Sequence, residues 1–178
     1  NNRTLQSARN GQVDGSFGWA PTPERKRDLL YTQPVLSARM VFFQRKERRL
    51  EWNRWADLRG VRVGVTVGNF YSDDFDAQAK SGLLTVDSAP DDLINLRKLL
   101  AGRIDLFPID LEVGKYLIAH HFPPQQGALL EAQAKSFWSA PLHVVIWRKH
   151  ARGKELVERF NRGLKAMQDS GEFERLVT

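Results

Sequence analysis

The sequence predicts an α/β fold, and three observations carry that assignment. Short apolar runs of strand length (MVFFQRK, VRVGV, LLTVD, IDLFPI and LHVVIWR) alternate with stretches whose apolar residues recur at helical spacing. Each segment is closed by its own glycine, proline or capping residue. The 178 residues, 42% of them hydrophobic, suffice for one domain, or one domain in two lobes, around a filled core. Charged residues make up 27% and are spread along the chain, and no apolar run nears the ~18 residues of a membrane helix, so a soluble globular protein is expected. The absence of cysteine excludes a disulfide framework, a CxxC redox centre and a thiolate zinc site.

In chain order, Leu5 to Arg9 read as a helical turn or two ending at Gly11, and Val13 to Trp19 as a strand broken by Gly15 and Gly18. Glycine weakens a strand, so both predict close approach of backbone or ligand. Thr22 caps a short helix with Pro23 at its first position and Glu24 in its first turn, which places Arg25 at a helix start just after a strand. A strand runs from Ala38 through MVFFQRK, and Trp55 to Arg59 is a short helix stopped by Gly60. Val61 to Val65 is a strand, and Gly68 opens a turn into a helix capped by Ser72. Asp73, Asp74 and Asp76 suit the dipole of that helix, a reading preferred to metal binding.

Leu83 to Asp87 form the next strand, and Ser88 with Asp91 predicts a capping box for a helix carrying Leu93, Leu96, Leu99 and Leu100 on one face. Gly102 ends it. Ile104 to Ile109 is a strand whose Pro108 disfavours a central position. Asp110 stands at its end, before a helix from Leu111 to His121. After the loop FPPQQG come a short strand around Leu129, a linker AQAKSFWSAP and a strand from Leu142 to Arg148. The last helix sets Leu156, Phe160, Leu164 and Met167 on a core-facing side and ends at Gly171.

The net charge of +6 raises the question of a nucleic-acid partner, because most of the excess lies in RKERRLEWNR (Arg45 to Arg54) beside Trp52 and Trp55. A solvated segment whose indoles bury locally is the preferred reading, and no nucleic-acid partner is expected. Catalytic readings are thin. His120 and His121 are adjacent and cannot form an i, i+4 metal pair, and His143 and His150 have no nucleophile elbow nearby. Asp105, Asp110 and Glu112 are near one another in sequence without further sign of acid-base work. No GxSxG, P-loop or GxGxxG is present. Arg25 and Asp110 remain, two opposite charges each next to a strand end. Ligands of open α/β sheets collect at the carboxyl ends of strands, and a guanidinium with a carboxylate would fit a zwitterion. The same spacing fits a surface arginine and a helix-capping aspartate that never meet.

The segments GQVDG, TPER with YTQPV, DLRGVRVGVTVG, LLAGRIDLFPID and RKHARGKELVERFNRGLKAMQDSGEFERLV, in this order, resemble the family 3 extracellular solute-binding proteins, the amino-acid-type receptors of ABC importers. The resemblance implies a periplasmic-binding-protein-like type II fold: two α/β lobes joined by two crossover segments, with ligand trapped as they close. Lobe one would comprise residues 1–45 and 137–178, and lobe two residues 46–136. Arg25 matches the arginine that holds the ligand carboxylate, Asp110 the aspartate that holds the ammonium group. Gly68 and Asn69 fall at the start of a lobe-two helix whose amides receive the carboxylate. Trp19 and Ala20, with Gly18, replace small hydroxylated residues, and Asn69 and Phe70 replace hydroxyls, so these positions would give the pocket a bulkier, less hydroxylated wall. The implied protein is a non-enzymatic periplasmic receptor for a small polar, amino-acid-like solute, serving an ABC permease, without cofactor or metal. A sensor module of a signalling or cell-wall protein, or a dehydratase-like enzyme, are the alternatives on the same scaffold. The opening residues NNRTLQSARNG lack the apolar stretch of a signal peptide, and the resemblance implies that the chain starts partway through lobe one. A signal peptide is accordingly expected upstream, and an incomplete first lobe would exchange a strand or dimerise with a second copy.

Overall fold

A computed structural model describes residues 2–177, which group into two compact units: residues 39–139, and residues 2–38 together with 140–177. The boundaries fall inside two strands, β3 (Leu36–Arg45) and β7 (Leu130–Trp147).

In the continuous unit, β3 lies antiparallel to β6 (Phe107–Asp110), with Met40 opposite Asp110 and Phe43 opposite Phe107. β4 (Arg62–Thr66) runs parallel to β5 (Thr85–Ala89) and meets the approach to β6 through a parallel Val63–Leu106 bridge. Parallel neighbours require crossovers, supplied here by α3 (Asp73–Lys80) and α4 (Asp92–Leu100). The carboxyl ends of β4, β5 and β6, at Thr66, Ala89 and Asp110, therefore share one edge of the sheet. α5 (Leu111–His121) and the single turn α6 (Pro124–Gly127) follow.

The run MVFF has no polar alternation because both faces of β3 are covered. Met40 and Phe42 pack with Trp52, Leu58, Val63, Tyr71 and Phe75. Val41 and Phe43, one residue out of phase, pack with Leu96, Leu99, Ile104 and Phe107. At the opposite edge from Thr66, Asp105 is clamped: Arg62 gives it Nε at 3.0 Å, Nη2 at 2.9 Å and its backbone amide at 3.1 Å. Arg48 adds a contact at 3.2 Å. Burial alone would push the Asp105 carboxyl up, but the Arg62 hydrogen bonds and the two arginine charges outweigh it and hold it below the usual carboxylate range.

The second unit contains α1 (Asn2–Arg9), β1 (Gly15–Trp19), α2 (Pro23–Asp28), β2 (Leu29–Tyr31), the end of β7, α7 (Gly153–Asp169) and α8 (Glu172–Val177). β1 and β2 both pair antiparallel with β7, and Leu5, Trp19, Leu29 and Val145 form the core. A Cβ on Gly15 would lie 2.5 Å from the Val145 carbonyl oxygen, which is the close backbone approach expected there. Gly18 is different: nothing crowds it, and its φ of +87° accommodates the register shift between Phe17 and Trp19.

Several expectations are corrected. The linker AQAKSFWSAP is not a break, since β7 runs unbroken through it. Its polar residues are pinned by partners that periodicity does not reveal: Gln133 donates to Gln44 and to the Leu50 carbonyl, and Ser136 to the Met40 carbonyl. The loop FPPQQG contains α6. Ser88 lies in β5 opposite Val65, and Asp91 alone caps α4 by accepting from Ile94 N. On α7, Leu164 is buried but Phe160 is exposed, so the core-facing stripe is narrower than its spacing suggests. The basic run is not uniformly solvated: Arg45 is buried, its Nη1 donating to the carbonyls of Leu99 and Ile104 at the end of α4. The two indoles beside it do bury locally, as expected: Trp52 is buried and Trp55 partly buried, both against Phe42.

Phe42→Ala is expected to cost about 3–5 kcal/mol, read by chemical denaturation. Asp105→Asn should destabilise at neutral pH, because a depressed carboxylate contributes above its unfolded value. That penalty should disappear as pH falls through the depressed native value, which denaturation at a series of acid pH values checks.

Candidate functional site

The carboxyl edge of β4, β5 and β6 is where a ligand of an open α/β sheet is received. Thr66 ends β4 with a buried side chain and stands at the centre of a small hydrogen-bond network. Its amide donates to the Tyr71 hydroxyl at 2.7 Å and its Oγ1 to Asp92 Oδ1 at 2.5 Å. Asn95, fully buried on α4, donates to Thr66 Oγ1 at 3.0 Å, while its own Oδ1 has no partner. Asn69 Nδ2 reaches the same Asp92 Oδ1 at 3.3 Å. Burial, with a smaller contribution from neighbouring Asp91, raises the Asp92 carboxyl above its ordinary value against the opposing hydrogen bonds from Thr66 and Asn69. The Tyr71 hydroxyl is also pushed up, chiefly by burial.

Gly68 and Asn69 lie in the turn between β4 and α3, the turn that Gly68 was expected to open ahead of the Ser72 cap. Gly68 takes a φ of +82°, and the Asn69 amide closes the turn on the Thr66 carbonyl at 3.1 Å. α3 begins later, capped by Ser72, whose Oγ accepts from Phe75 N, and its first turn carries Asp73, Asp74 and Asp76, which oppose an anion there. Phe70, 39% exposed, meets Trp138 edge to face at 5.8 Å.

Asp110 is the N-cap of α5: its Oδ1 accepts from Glu112 N at 3.0 Å and Val113 N at 3.2 Å, and its Oδ2 from Arg39 N at 2.8 Å. A carboxylate offers about four lone-pair sites, so capping leaves room for one more donor.

In the other unit, Thr22 Oγ1 caps α2 by accepting from Arg25 N at 3.2 Å. The Arg25 guanidinium lies 4.9 Å over the Trp19 ring and donates Nη1 to the Ala20 carbonyl at 3.1 Å. Trp19 is 8% exposed, with its Nε1 donating to Ser16. It therefore serves as a platform that orients the arginine, and Ala20 contributes its backbone oxygen. A guanidinium has five N–H donors, and the Ala20 bond uses one.

The remaining candidates have other employment. His120 stacks on Tyr116, His143 Nδ1 is 2.8 Å from the Thr32 carbonyl, and His150 is 3.0 Å from Asp14. No metal-holding cluster occurs among the described residues, and none of their helices is long and apolar enough to cross a membrane. Thr66, Asp92 and Asn95 were not singled out from the sequence. A polar residue closing the strand VRVGV was the available signal.

The chain belongs to the bacterial extracellular solute-binding proteins, family 3, whose family model matches residues 1–178. The fold is the type II periplasmic-binding-protein architecture. One relative is the arginine-binding extracellular protein ArtP of Bacillus subtilis, 27% identical over 98% of this chain; the chain spans 66% of that relative's length. Among solved structures, it is similar to the amino-acid ABC transporter substrate-binding protein AbpA of Streptococcus pneumoniae bound to L-arginine (20% identity, 97% of this chain, 70% of that one, TM-score 0.77). It is also similar to a histidine kinase sensor domain with similarity to periplasmic binding proteins (22% identity, 98% and 72%, TM-score 0.79).

A carboxyl with a raised native value favours folding less as it ionises. Asp92→Asn retains an oxygen for both Thr66 and Asn69, so it should raise the melting temperature at pH 7. That gain should fade as pH falls toward the unfolded carboxylate value, which thermal melts across pH read directly.

Proposed function

We propose that this protein is an extracytoplasmic receptor, periplasmic in a two-membrane cell, that captures a small amino-acid-like solute and delivers it to an ABC permease. The observation that carries the reading is the state of the two charges that match the family's motifs. Arg25 is oriented by Trp19 and Ala20 with donors to spare, and Asp110 is fixed by three backbone amides with acceptor capacity left. The Arg25 guanidinium is a fork suited to a carboxylate, and the Asp110 carboxylate an anion suited to an ammonium group. Family membership and the arginine-binding relatives support this reading and make L-arginine the first solute to test. Family membership supports binding without catalysis, and Asp105 is neutralised by Arg62.

Isothermal titration calorimetry with a panel of L-amino acids tests the proposal. Arg25→Lys loses the planar fork, and Asp110→Asn keeps an oxygen for the N-cap while losing the charge and the bond from Arg39 N. Each should weaken binding by about tenfold or more, as expected for one charge-assisted hydrogen bond. Affinity equal to the parent's in either variant would overturn the assignment of that residue.

A further inference from the structure

We propose that Asp92 selects the solute, admitting one whose side chain carries a positive charge; this rests on the amino-acid reading above and deepens it. Both hydrogen bonds that Asp92 accepts, from Thr66 Oγ1 and Asn69 Nδ2, fall on Oδ1. Oδ2 accepts none among the described residues, and no described lysine, arginine or histidine pairs with the carboxylate. Of the two basic residues on the same helix, Lys98 is committed to Asp87 at 2.8 Å and Arg97 lies with it in the last turn, away from Asp92 in the first. A half-buried carboxylate without a cation is costly, and the amino end of α4 eases only part of that cost. The groups around it do not compensate either: Asp91 adds like charge, and Thr66, Asn69 and Tyr71 are neutral.

Its place gives this unpaired charge a use. Asp92 is tied directly to the turn that follows β4, on the edge that also bears Asp110. Phe70, exposed in that turn and packed edge to face on the partly buried Trp138, supplies aromatic surface suited to a methylene chain and a guanidinium or ammonium head. A neutral side chain would leave Asp92 unpaired, and an anionic one would meet like charge, so discrimination follows from electrostatics without a change in pocket size.

The test compares L-arginine with L-citrulline, its neutral counterpart of the same length, by calorimetry at pH 7. The parent should bind arginine about tenfold or more tightly than citrulline. Asp92→Asn should lose that preference while keeping the parent's affinity for citrulline, and it should melt no lower than the parent, which separates lost recognition from lost structure. Equal binding of the two solutes by the parent, with dependence on Arg25, overturns the role of Asp92 and leaves the amino-acid reading standing. If both amino acids fail but agmatine, which has the guanidinium without the carboxylate, raises the melting temperature of the parent and not of Asp92→Asn, the amino-acid reading falls and the role of Asp92 stands. Failure of all three solutes overturns both, and a preference for arginine that survives in Asp92→Asn overturns the role of Asp92.

Discussion

The continuous unit depends on the clamp between Arg62 and Asp105. Three hydrogen bonds from one arginine, two of them in a fork, tie the first residue of β4 to the approach to β6, and Arg62 Nη2 also holds the Gly102 carbonyl. Fixing the amino ends of two parallel strands fixes their register, so their carboxyl ends finish level. Thr66 and Asp110 thereby come to one edge although 43 residues separate the clamped pair. The clamp lies at the opposite end of β4 from Thr66, yet it decides which side chains share an edge.

At that edge, polar groups replace the apolar packing that fills the rest of the unit. Thr66 gives and receives hydrogen bonds at once, Asn95 is left with an idle oxygen against Gly64, and Asp92 is ionised at a disadvantage. A core built for stability alone would put aliphatic residues in these places. The concentration of such defects in one layer, just below an exposed turn, is the pattern of a surface built for recognition.

Much of this was legible in the sequence where the determinants are local. Thr22, Ser72 and Asp110 were readable as caps because a cap needs only its own side chain and amides a few residues away. The strand ends and the glycines at Gly60, Gly68 and Gly102 follow from backbone rules equally short in range. The continuity of β7 was not legible, because it rests on Gln133 and Ser136 finding Gln44 and Met40 about ninety residues earlier. Arg45 was misread for the same reason: nothing near it in sequence announces the carbonyls of Leu99 and Ile104. Arg25 and Asp110 were readable as candidates, and so was the turn at Gly68 ahead of the Ser72 cap, because each signal is local.

The path of the chain also orders events during synthesis. One unit is a single stretch, residues 39–139, whereas the other needs β1 and β2 near the beginning to meet the end of β7. On the ribosome, the continuous unit has every contact it needs before residue 140 emerges. The first 38 residues must wait, their apolar side chains without their partner strand, until Val145 arrives to pair with Ser16 and Tyr31. Early completion of the inserted unit shortens the effective loop between those partners, so β1 and β2, made before the inserted unit, are paired only after it.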